Sequence, residues 1–265
     1  MTAIVSAPTT VGAPSAGILP GFGGLLRKEL TEWRRARRTW IVLLVSTAFM
    51  TLTALNTWLQ TVLPEDATVG APTAVLDPLM NLMQGVSSQI FVVAAIFAVM
   101  ALITAERDSG TLAWTASKPV SRSAIWLSKL VASSVVLWVV AAIVPLVATV
   151  ALVLALYGPL PVLPPVVLAV GMGMAVVLYV AVALAASTVV TSQAAVAAIT
   201  LGFMFLPQFI GVIVPSLEFM PQSILQWSML TAAGETASLV TVVSWAVTVV
   251  VLVALSVRRM ERLEL

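Results

Sequence analysis

The basic side chains of this chain are confined to three short stretches. All thirteen Lys and Arg residues lie at positions 27–38, 107–129 and 258–262, and the long apolar runs between these stretches contain none. Because positively charged loops stay on the cytoplasmic side of a membrane, this distribution predicts which connections face the cytosol. It therefore predicts how the chain threads a bilayer.

Composition indicates that lipid is the solvent of the folded chain. Hydrophobic residues make up 60% of the sequence and charged residues 9%, and the mean hydropathy is +1.10. No soluble fold can cover so much apolar side chain with polar surface. The net charge of +2 comes from residues that border apolar runs, where topology explains it, so nucleic acid is not an expected partner.

Cysteine and histidine are both absent from the sequence. Their absence excludes disulfides, thiol nucleophiles, Cys-ligated zinc and every catalytic triad that uses imidazole. The eleven methionines do not cluster as they would around a soft metal. We therefore expect neither catalytic residues nor a metal site in this chain.

Six apolar stretches reach the roughly twenty residues that a helix needs to cross the hydrocarbon core. They cover positions 40–63, 86–105, 124–156, 166–190, 194–214 and 238–257. With the first basic stretch in the cytosol, six crossings place the other two stretches there too, and both termini become cytoplasmic. At the uncharged turn 191–193 a single long hairpin remains the alternative. The sequence predicts an all-α, multi-pass protein of the cytoplasmic membrane.

The segments outside the spans differ in composition. Residues 1–20, rich in Ala, Pro, Thr and Ser, predict a disordered cytosolic tail, and residues 258–265 a second, shorter one. The loops 64–85 and 215–237 carry acidic residues but no cation, which is typical of the outer side. Apolar residues in the second loop predict short helices at the outer membrane surface, with an ordinary packed loop as the alternative. Pro145 is expected to kink the third span.

Residues 21–39 predict an amphipathic helix in front of the first span. Wound at about 100° per residue, most apolar side chains fall in one arc, although Glu29 and Arg37 fall inside it too. We expect this helix to lie flat on the inner leaflet, with Trp33 at the headgroup boundary and arginines on lipid phosphates. A charged topology anchor that runs straight into the first span is the alternative. The residues expected to mark the interface are Leu26, Leu30, Trp33, Arg34, Arg35 and Arg38.

The second basic stretch predicts a short helix between two spans. Glu106 ends the second span, a helical piece follows Gly110, and Pro119 stops it. Ser121 is suited to cap the start of the third span. A short helix that is held at both ends can transmit force from a docked partner. A plain cytosolic loop is the alternative.

The order of these residues resembles the permease subunit of ABC type-2 exporters. The pattern is a Glu, then Gly-Thr-Leu, then Pro-Val-Ser-Arg and a downstream Lys, placed between the second and third of six predicted spans. The residue-level motif covers about two dozen positions, whereas the match in organisation covers nearly the whole chain from about residue 21. The matching residues are Glu106, Gly110, Thr111, Leu112, Pro119, Val120, Ser121, Arg122 and Lys129.

The resemblance implies a division of labour. Residues around 106–118 would form a coupling helix that docks on a separate ATPase subunit, and residues 21–38 would be the connecting helix. Two ATPase copies would bind ATP and its Mg²⁺, and a second permease copy, identical or different, would complete a dimer. The residues implied in coupling are Glu106, Arg107, Asp108, Gly110, Thr111, Leu112 and Trp114.

What the sequence lacks also favours a subunit that depends on a partner for energy. There is no phosphate-binding loop of the type Gly-x-x-x-x-Gly-Lys-Ser/Thr, so we expect no ATPase site and no enzyme activity in this chain. Ion-driven carriers hold carboxylates, His or Lys within the membrane. We expect none of these within spans three to six, which disfavours the alternatives of an ion-coupled carrier or channel. A non-transporting membrane anchor is the other alternative.

Few polar side chains fall within the predicted spans. Asn56, Gln60, Gln89 and Gln208 are candidates to line a translocation path, although hydrogen bonding between helices explains them better. So few polar groups suit a lipophilic or amphipathic cargo, such as a drug, a lipid or a lipid-linked compound. The sequence predicts a permease subunit that moves such a cargo outward by means of ATP hydrolysis on its partner.

Overall fold

The computed structural model of the protein describes residues 19–62, 77–111, 120–210 and 219–262, and every regular element within them is helical. The α-helices, in chain order, are α1 (Phe22–Arg35), α2 (Arg37–Val62), α3 (Pro78–Ser87), α4 (Ile90–Val99), α5 (Thr104–Asp108), α6 (Arg122–Leu137), α7 (Val144–Tyr157), α8 (Leu163–Val189), α9 (Gln193–Ile210), α10 (Ile224–Ala232) and α11 (Leu239–Arg262). A π-helical turn (Trp138–Ile143) joins α6 to α7, and a 3₁₀ turn (Pro221–Ser223) precedes α10.

Five helical stretches are long and apolar enough to cross a membrane. They are Arg37–Asn56, Pro78–Asp108, Arg122–Tyr157, Leu163–Val189 and Leu239–Arg262. The predicted fifth span corresponds to α9, whose apolar part Gln193–Leu206 is shorter than these five. The multi-pass, all-helical architecture is confirmed for the described residues, whereas a sixth crossing stays a prediction.

The second span begins earlier than the sequence predicts and is interrupted. The side chain of Asp77 accepts a hydrogen bond from the Leu79 amide at 2.9 Å, and Pro78 occupies the first turn of α3. This cap starts a helix inside a stretch that we predicted to be loop as far as residue 85. Gln89 then adopts a left-handed conformation, with φ of 53°, which separates α3 from α4.

The third span is interrupted at the position that its proline predicts. Pro145 lacks an amide hydrogen, and its ring clashes with the carbonyl four residues earlier in an α-helix. The chain accommodates it with the π-helical turn Trp138–Ile143, after which Pro145 stands in the first turn of α7. A π turn inserted into a long helix is one of the recognised causes of a local change in helix direction.

Helix α8 is the most buried of the five span helices, and other helices pack around it. At Gly171 the short helix α10 approaches so closely that a Cβ atom there would lie 2.2 Å from the side chain of Ser228. Gly171 therefore serves helix packing, as its small size predicts. Helix α10 also buries Ile224 and Leu225 against the protein, whereas Phe219 before it is exposed.

The three basic stretches lie together at one end of the helical bundle. Arg122 at the start of α6 donates to the carbonyl of Glu261 near the end of α11, at 3.3 Å. Lys28 of α1 lies 3.9 Å from Glu106 of α5. We call this end, formed by α1, α5, the start of α6 and the last turns of α8 and α11, the basic end.

Candidate functional site

A buried lysine joins three separate elements at the basic end. The Nζ atom of Lys129 on α6 lies 2.8 Å from Oε1 of Glu29 on α1 and 2.8 Å from Oε1 of Glu106 on α5. Lys129 is 1% exposed and Glu29 is 3% exposed, whereas Glu106 is half-buried. We call these three residues the buried charge cluster.

The local sequence sets α1 and α6 side by side. Ser121 caps α6, since its hydroxyl accepts a hydrogen bond from the Ala124 amide at 3.1 Å, as predicted. The Ser121 amide bonds the carbonyl of Pro20 at 3.4 Å, which ties the chain before α1 to the start of α6. Gly21 follows with φ of 81°, and a Cβ atom there would lie 2.3 Å from Val120. Only glycine suits both that conformation and that close approach.

Helix α1 turns its apolar arc toward the protein. Leu26 and Leu30 pack against the core, and Trp33 is fully buried. The prediction that Trp33 meets the lipid headgroups is therefore wrong, because its ring is fully buried in the core of the protein. The position of Glu29 inside the apolar arc is now explained, since its carboxylate meets Lys129 there.

The basic face of α1 divides into exposed and inward-facing residues. Arg34 and Arg35 are exposed in its last turn, where a cation complements the helix dipole. The guanidinium of Arg38 lies over the ring of Trp33, 4.5 Å from its centroid, in a cation–π contact. Because Ala36 is extended, with ψ of 129°, α1 ends before it and the predicted helix 21–39 is divided between α1 and α2.

Charge balance at the cluster extends to the surface of α1. The carboxylates of Glu29, Glu32 and Glu106 come within 4.8 Å of one another, a spacing that requires positive charge between them. Lys129 supplies it from inside, and Lys28 supplies it from outside, 3.4 Å from Glu32 and 3.9 Å from Glu106. The two ammonium groups thus lie beside the three carboxylates, one from the inside and one from the outside.

The buried charge cluster contributes more to the relative position of its three helices than to the free energy of unfolding. Burying an ion pair costs several kcal/mol of desolvation for each ion, and the attraction repays this only when the geometry is good. Removing one partner, however, leaves an uncompensated buried charge, at a cost of about 3–5 kcal/mol. The cluster therefore fixes α1, α5 and α6 in one relative position, because any displacement of one element separates the charges.

Arg107 connects the same segment to a fourth helix. Its Nη2 donates to the carbonyl of Ser187 at 3.4 Å, and Nε of Arg259 donates to the carbonyl of Thr188 at 2.9 Å. Both carbonyls belong to the last turn of α8, where cations complement the helix dipole. These contacts also place the uncharged turn 191–193, which follows α8, at the basic end. The prediction of six spans requires this position, because an even number of crossings precedes the turn.

The remaining residues implied in coupling lie at the surface or outside the described part of the chain. Asp108, Gly110 and Thr111 are exposed, and the Thr111 hydroxyl donates to the Glu106 carbonyl at 3.2 Å. Gly110, two residues after the end of α5, has φ of 72°, a conformation that does not continue the helix. Leu112 and Trp114, and with them most of the predicted coupling helix, lie outside the described residues.

The predicted path residues do not form a described site. Asn56 is exposed on α2 and Gln89 is half-buried at the break before α4, while the side chains of Gln60 and Gln208 lie outside the described part. A translocation path through these four residues stays a prediction.

A polar connection that the sequence did not indicate lies near the end of α7. Nδ2 of Asn81 on α3 donates to the hydroxyl of Tyr157, which donates to the Ala54 carbonyl of α2 at 3.4 Å. This connection joins α2, α3 and α7 through side chains that belong to no sequence motif.

One prediction about charge was wrong. We expected no ionisable group within spans three to six, but Lys129 lies about 10 Å along the third span from its start at Arg122. Two signals pointed to the cluster: a lysine inside an apolar run, and a glutamate inside an apolar helical arc. Their opposite charges are the feature that pairs them.

The sequence matches the model of a known protein family. The model of a protein family described as ABC-2 family transporter protein matches residues 24–265. Among curated proteins, none matches the sequence significantly.

Proposed function

Because the chain belongs to the ABC-2 family of transporter proteins, we propose that it is the permease subunit of an ATP-driven exporter. Two copies of a separate ATPase subunit hydrolyse ATP, and a second permease copy completes the translocation unit. The cargo is lipophilic or amphipathic, because the helices offer it few polar groups, and it moves outward or to the outer leaflet.

The basic end faces the cytosol in this proposal. The three basic stretches meet there, and positively charged segments stay on the cytoplasmic side of a membrane. The exposed residues Asp108, Gly110 and Thr111 then meet an ATPase that approaches from the cytosol. This orientation puts both described chain ends, at α1 and at α11, on the cytoplasmic side.

The observation that carries the proposal is the double contact of Lys129 with Glu29 and Glu106. A displacement of the docked segment moves Glu106, and the buried charge cluster passes that displacement to α1 and to the third span. Arg107 passes it to the end of α8. A docking segment with ion pairs to α1 and α6 and a hydrogen bond to the end of α8 is what force transmission requires.

The buried Lys129 also favours a second candidate, an ion-coupled carrier, because ionisable groups within spans often mark ion pathways. Its two carboxylate partners weigh against this, since Glu29 belongs to α1, which precedes the spans, and Glu106 lies in the last residues of the second span. Transport in liposomes separates the two candidates. ATP with the ATPase subunit must drive transport, whereas an ion gradient alone must not.

Co-purification tests the docking surface. The substitution Thr111→Asp places a charge on the segment proposed to enter a groove of the ATPase, so we expect the ATPase to be lost from the purified complex. Thr31→Asp is the matched control, because Thr31 is also exposed at the basic end but lies on α1. Retention of the ATPase by Thr111→Asp, or its equal loss from Thr31→Asp, would contradict the proposal.

A further inference from the structure

An open cleft lies between the last turns of α8 and α11 and the start of α9. Its volume is about 820 Å³, within the range of about 300–1,000 Å³ that ligand sites occupy. Val182 and Val189 of α8, Ile199 of α9 and Leu252 and Leu255 of α11 form most of its apolar wall. The cleft lies at the basic end, because α8 and α11 meet there through Arg259 and Thr188.

One rim of the cleft is strongly basic. Arg258, Arg259 and Arg262 line it from the last turns of α11, and none of the described lining residues is acidic. Arg258 and Arg262 are four residues apart and therefore share a helix face. Glu261, the acidic neighbour on α11, does not line the cleft. Apolar walls with a cationic rim are complementary to an amphiphile that has an anionic head.

A buried hydroxyl lies at the wall of the cleft. Ser256 lines the cleft, is 2% exposed, and its Oγ has no hydrogen-bond partner among the described residues. Buried polar atoms are almost always paired, so an unpaired one calls for an explanation. Its oxygen is closed off as it stands, so a ligand oxygen in the cleft pairs it when the side chain turns toward the cleft. Ser256 lies one helical turn from Arg259, which puts the hydroxyl beside the basic rim.

We propose that this cleft binds an anionic phospholipid of the leaflet at the basic end. The headgroup phosphate lies among Arg258, Arg259 and Arg262, where planar guanidinium groups give paired hydrogen bonds to phosphate oxygens. The Ser256 hydroxyl, turned toward the cleft, donates to the same headgroup, and an acyl chain follows the apolar wall along Val182 and Leu252. The inference concerns a bound lipid rather than the cargo, so it does not depend on the ATPase.

A lipid suits the cleft better than a second copy of this chain. An identical chain would have to present an anionic group on an apolar projection to match both the rim and the wall. A free phosphate would match the rim alone and leave the apolar wall unused. Charge and apolar surface together therefore specify the occupant.

Native mass spectrometry of the full-length chain in detergent tests the proposal. Phosphatidylglycerol and phosphatidylcholine with identical acyl chains are the two probes, and inorganic phosphate is the third. We expect selective binding of phosphatidylglycerol that millimolar phosphate does not displace. The double variant Arg258→Gln/Arg262→Gln should weaken this binding about 30-fold, since each basic residue near a lipid surface contributes about fivefold.

A matched control separates the cleft from general surface charge. The α1 control, Arg27→Gln/Arg37→Gln, removes the same charge from exposed positions on α1 and at the start of α2 that do not line the cleft, and it should leave phosphatidylglycerol binding unchanged. Two uncharged changes test the cleft itself: Ser256→Val removes the hydroxyl, and Ala185→Leu fills part of the cavity. Each should weaken binding several-fold while the unfolding temperature without lipid stays near that of the wild type.

Four outcomes would overturn the proposal. Equal binding of the two lipids would remove the role of the arginines, and displacement by inorganic phosphate would mark a free-phosphate site. Equal weakening by the α1 control would mark binding by surface charge alone. Absence of bound phosphatidylglycerol in a dimer of the full-length chain would indicate that a second copy covers the cleft.

Discussion

Lys129 and Glu29 are a hundred residues apart in the chain, yet their charged atoms lie 2.8 Å apart in the interior of the protein. Neither side chain fits the pattern of its own helix, because Lys129 interrupts an apolar run and Glu29 interrupts an apolar arc. Together they attach the helix that precedes the spans to the third span. Glu106 joins them from the segment proposed to meet the ATPase.

Replacing Lys129 should destabilise the protein strongly. Lys129→Met leaves two carboxylates facing each other without the ammonium between them, at an expected cost of about 3–5 kcal/mol in the free energy of unfolding. Thermal unfolding in detergent measures this change. Lys28→Met is the control, because its ion pairs are half exposed and should contribute only about 0–1 kcal/mol. Equal effects of the two changes would show that the buried cluster contributes no more than a surface ion pair.

Glu106→Gln should uncouple ATP hydrolysis from transport in the proposed complex. The amide keeps the shape of the side chain but weakens its attraction to Lys129, so movement of the docked segment reaches α6 less directly. We expect transport per ATP hydrolysed to fall about tenfold, a change of about 1.4 kcal/mol, while the ATPase still co-purifies. Glu32→Gln, which alters an exposed carboxylate of α1, should leave this ratio unchanged. An unchanged ratio in Glu106→Gln would remove Glu106 from the coupling route.

Gly171→Leu should separate α10 from α8. A Cβ atom at position 171 already overlaps Ser228, so a larger side chain forces the helices apart at a cost of about 1–3 kcal/mol. The change in unfolding temperature measures it, and Ser228→Gly in the same chain should recover part of the loss. Gly202→Ala is the matched control, because nothing lies within 4 Å of the added methyl group. A neutral Gly171→Leu variant would mean that the two helices are not in contact in solution.

Cysteine labelling tests the topology, and the absence of natural cysteine makes each introduced thiol unique. A membrane-impermeant maleimide should label Glu235→Cys in intact cells. It should label Asp108→Cys and Ser192→Cys only after the cells are permeabilised. Labelling of Ser192→Cys from outside would show that the chain does not return to the cytosol before α9 and would remove the prediction of six crossings.

Local signals predicted local structure well. Ser121 caps α6 because its hydroxyl needs only a neighbouring amide, and Pro145 interrupts the third span because its ring acts on its own helix. The apolar runs predicted five long helices correctly, because the hydropathy of a span is also a property of its own residues. Helix α3 was not predicted, because residues 64–85 were assigned to a loop. Asp77 and Pro78 are nevertheless a helix start signal, and their effect is equally local.

The candidate site was predicted only in part, because it depends on contacts between distant residues. The sequence placed Glu106 and Lys129 in one motif but gave no measure of their approach to Glu29. The amphipathic arc of α1 fitted a lipid surface and a protein surface equally well. Burial of Trp33 shows that the arc meets protein, which no property of residues 21–39 could decide.

The π turn before Pro145 has a further consequence for how the third span is oriented. One stripe of its buried side chains follows steps of four and three residues in α6 and continues into α7 through one step of five at the π turn, where Ala141 and Pro145 are buried beside it. The stripe comprises Trp126, Leu130, Ser133, Leu137, Ala142, Leu146, Thr149 and Val153. The inserted residue rotates everything beyond it by about 100° relative to an unbroken α-helix. A helical wheel drawn in a single pass from Arg122 to Tyr157 would therefore assign Leu146 and Val153 to the wrong side of the helix.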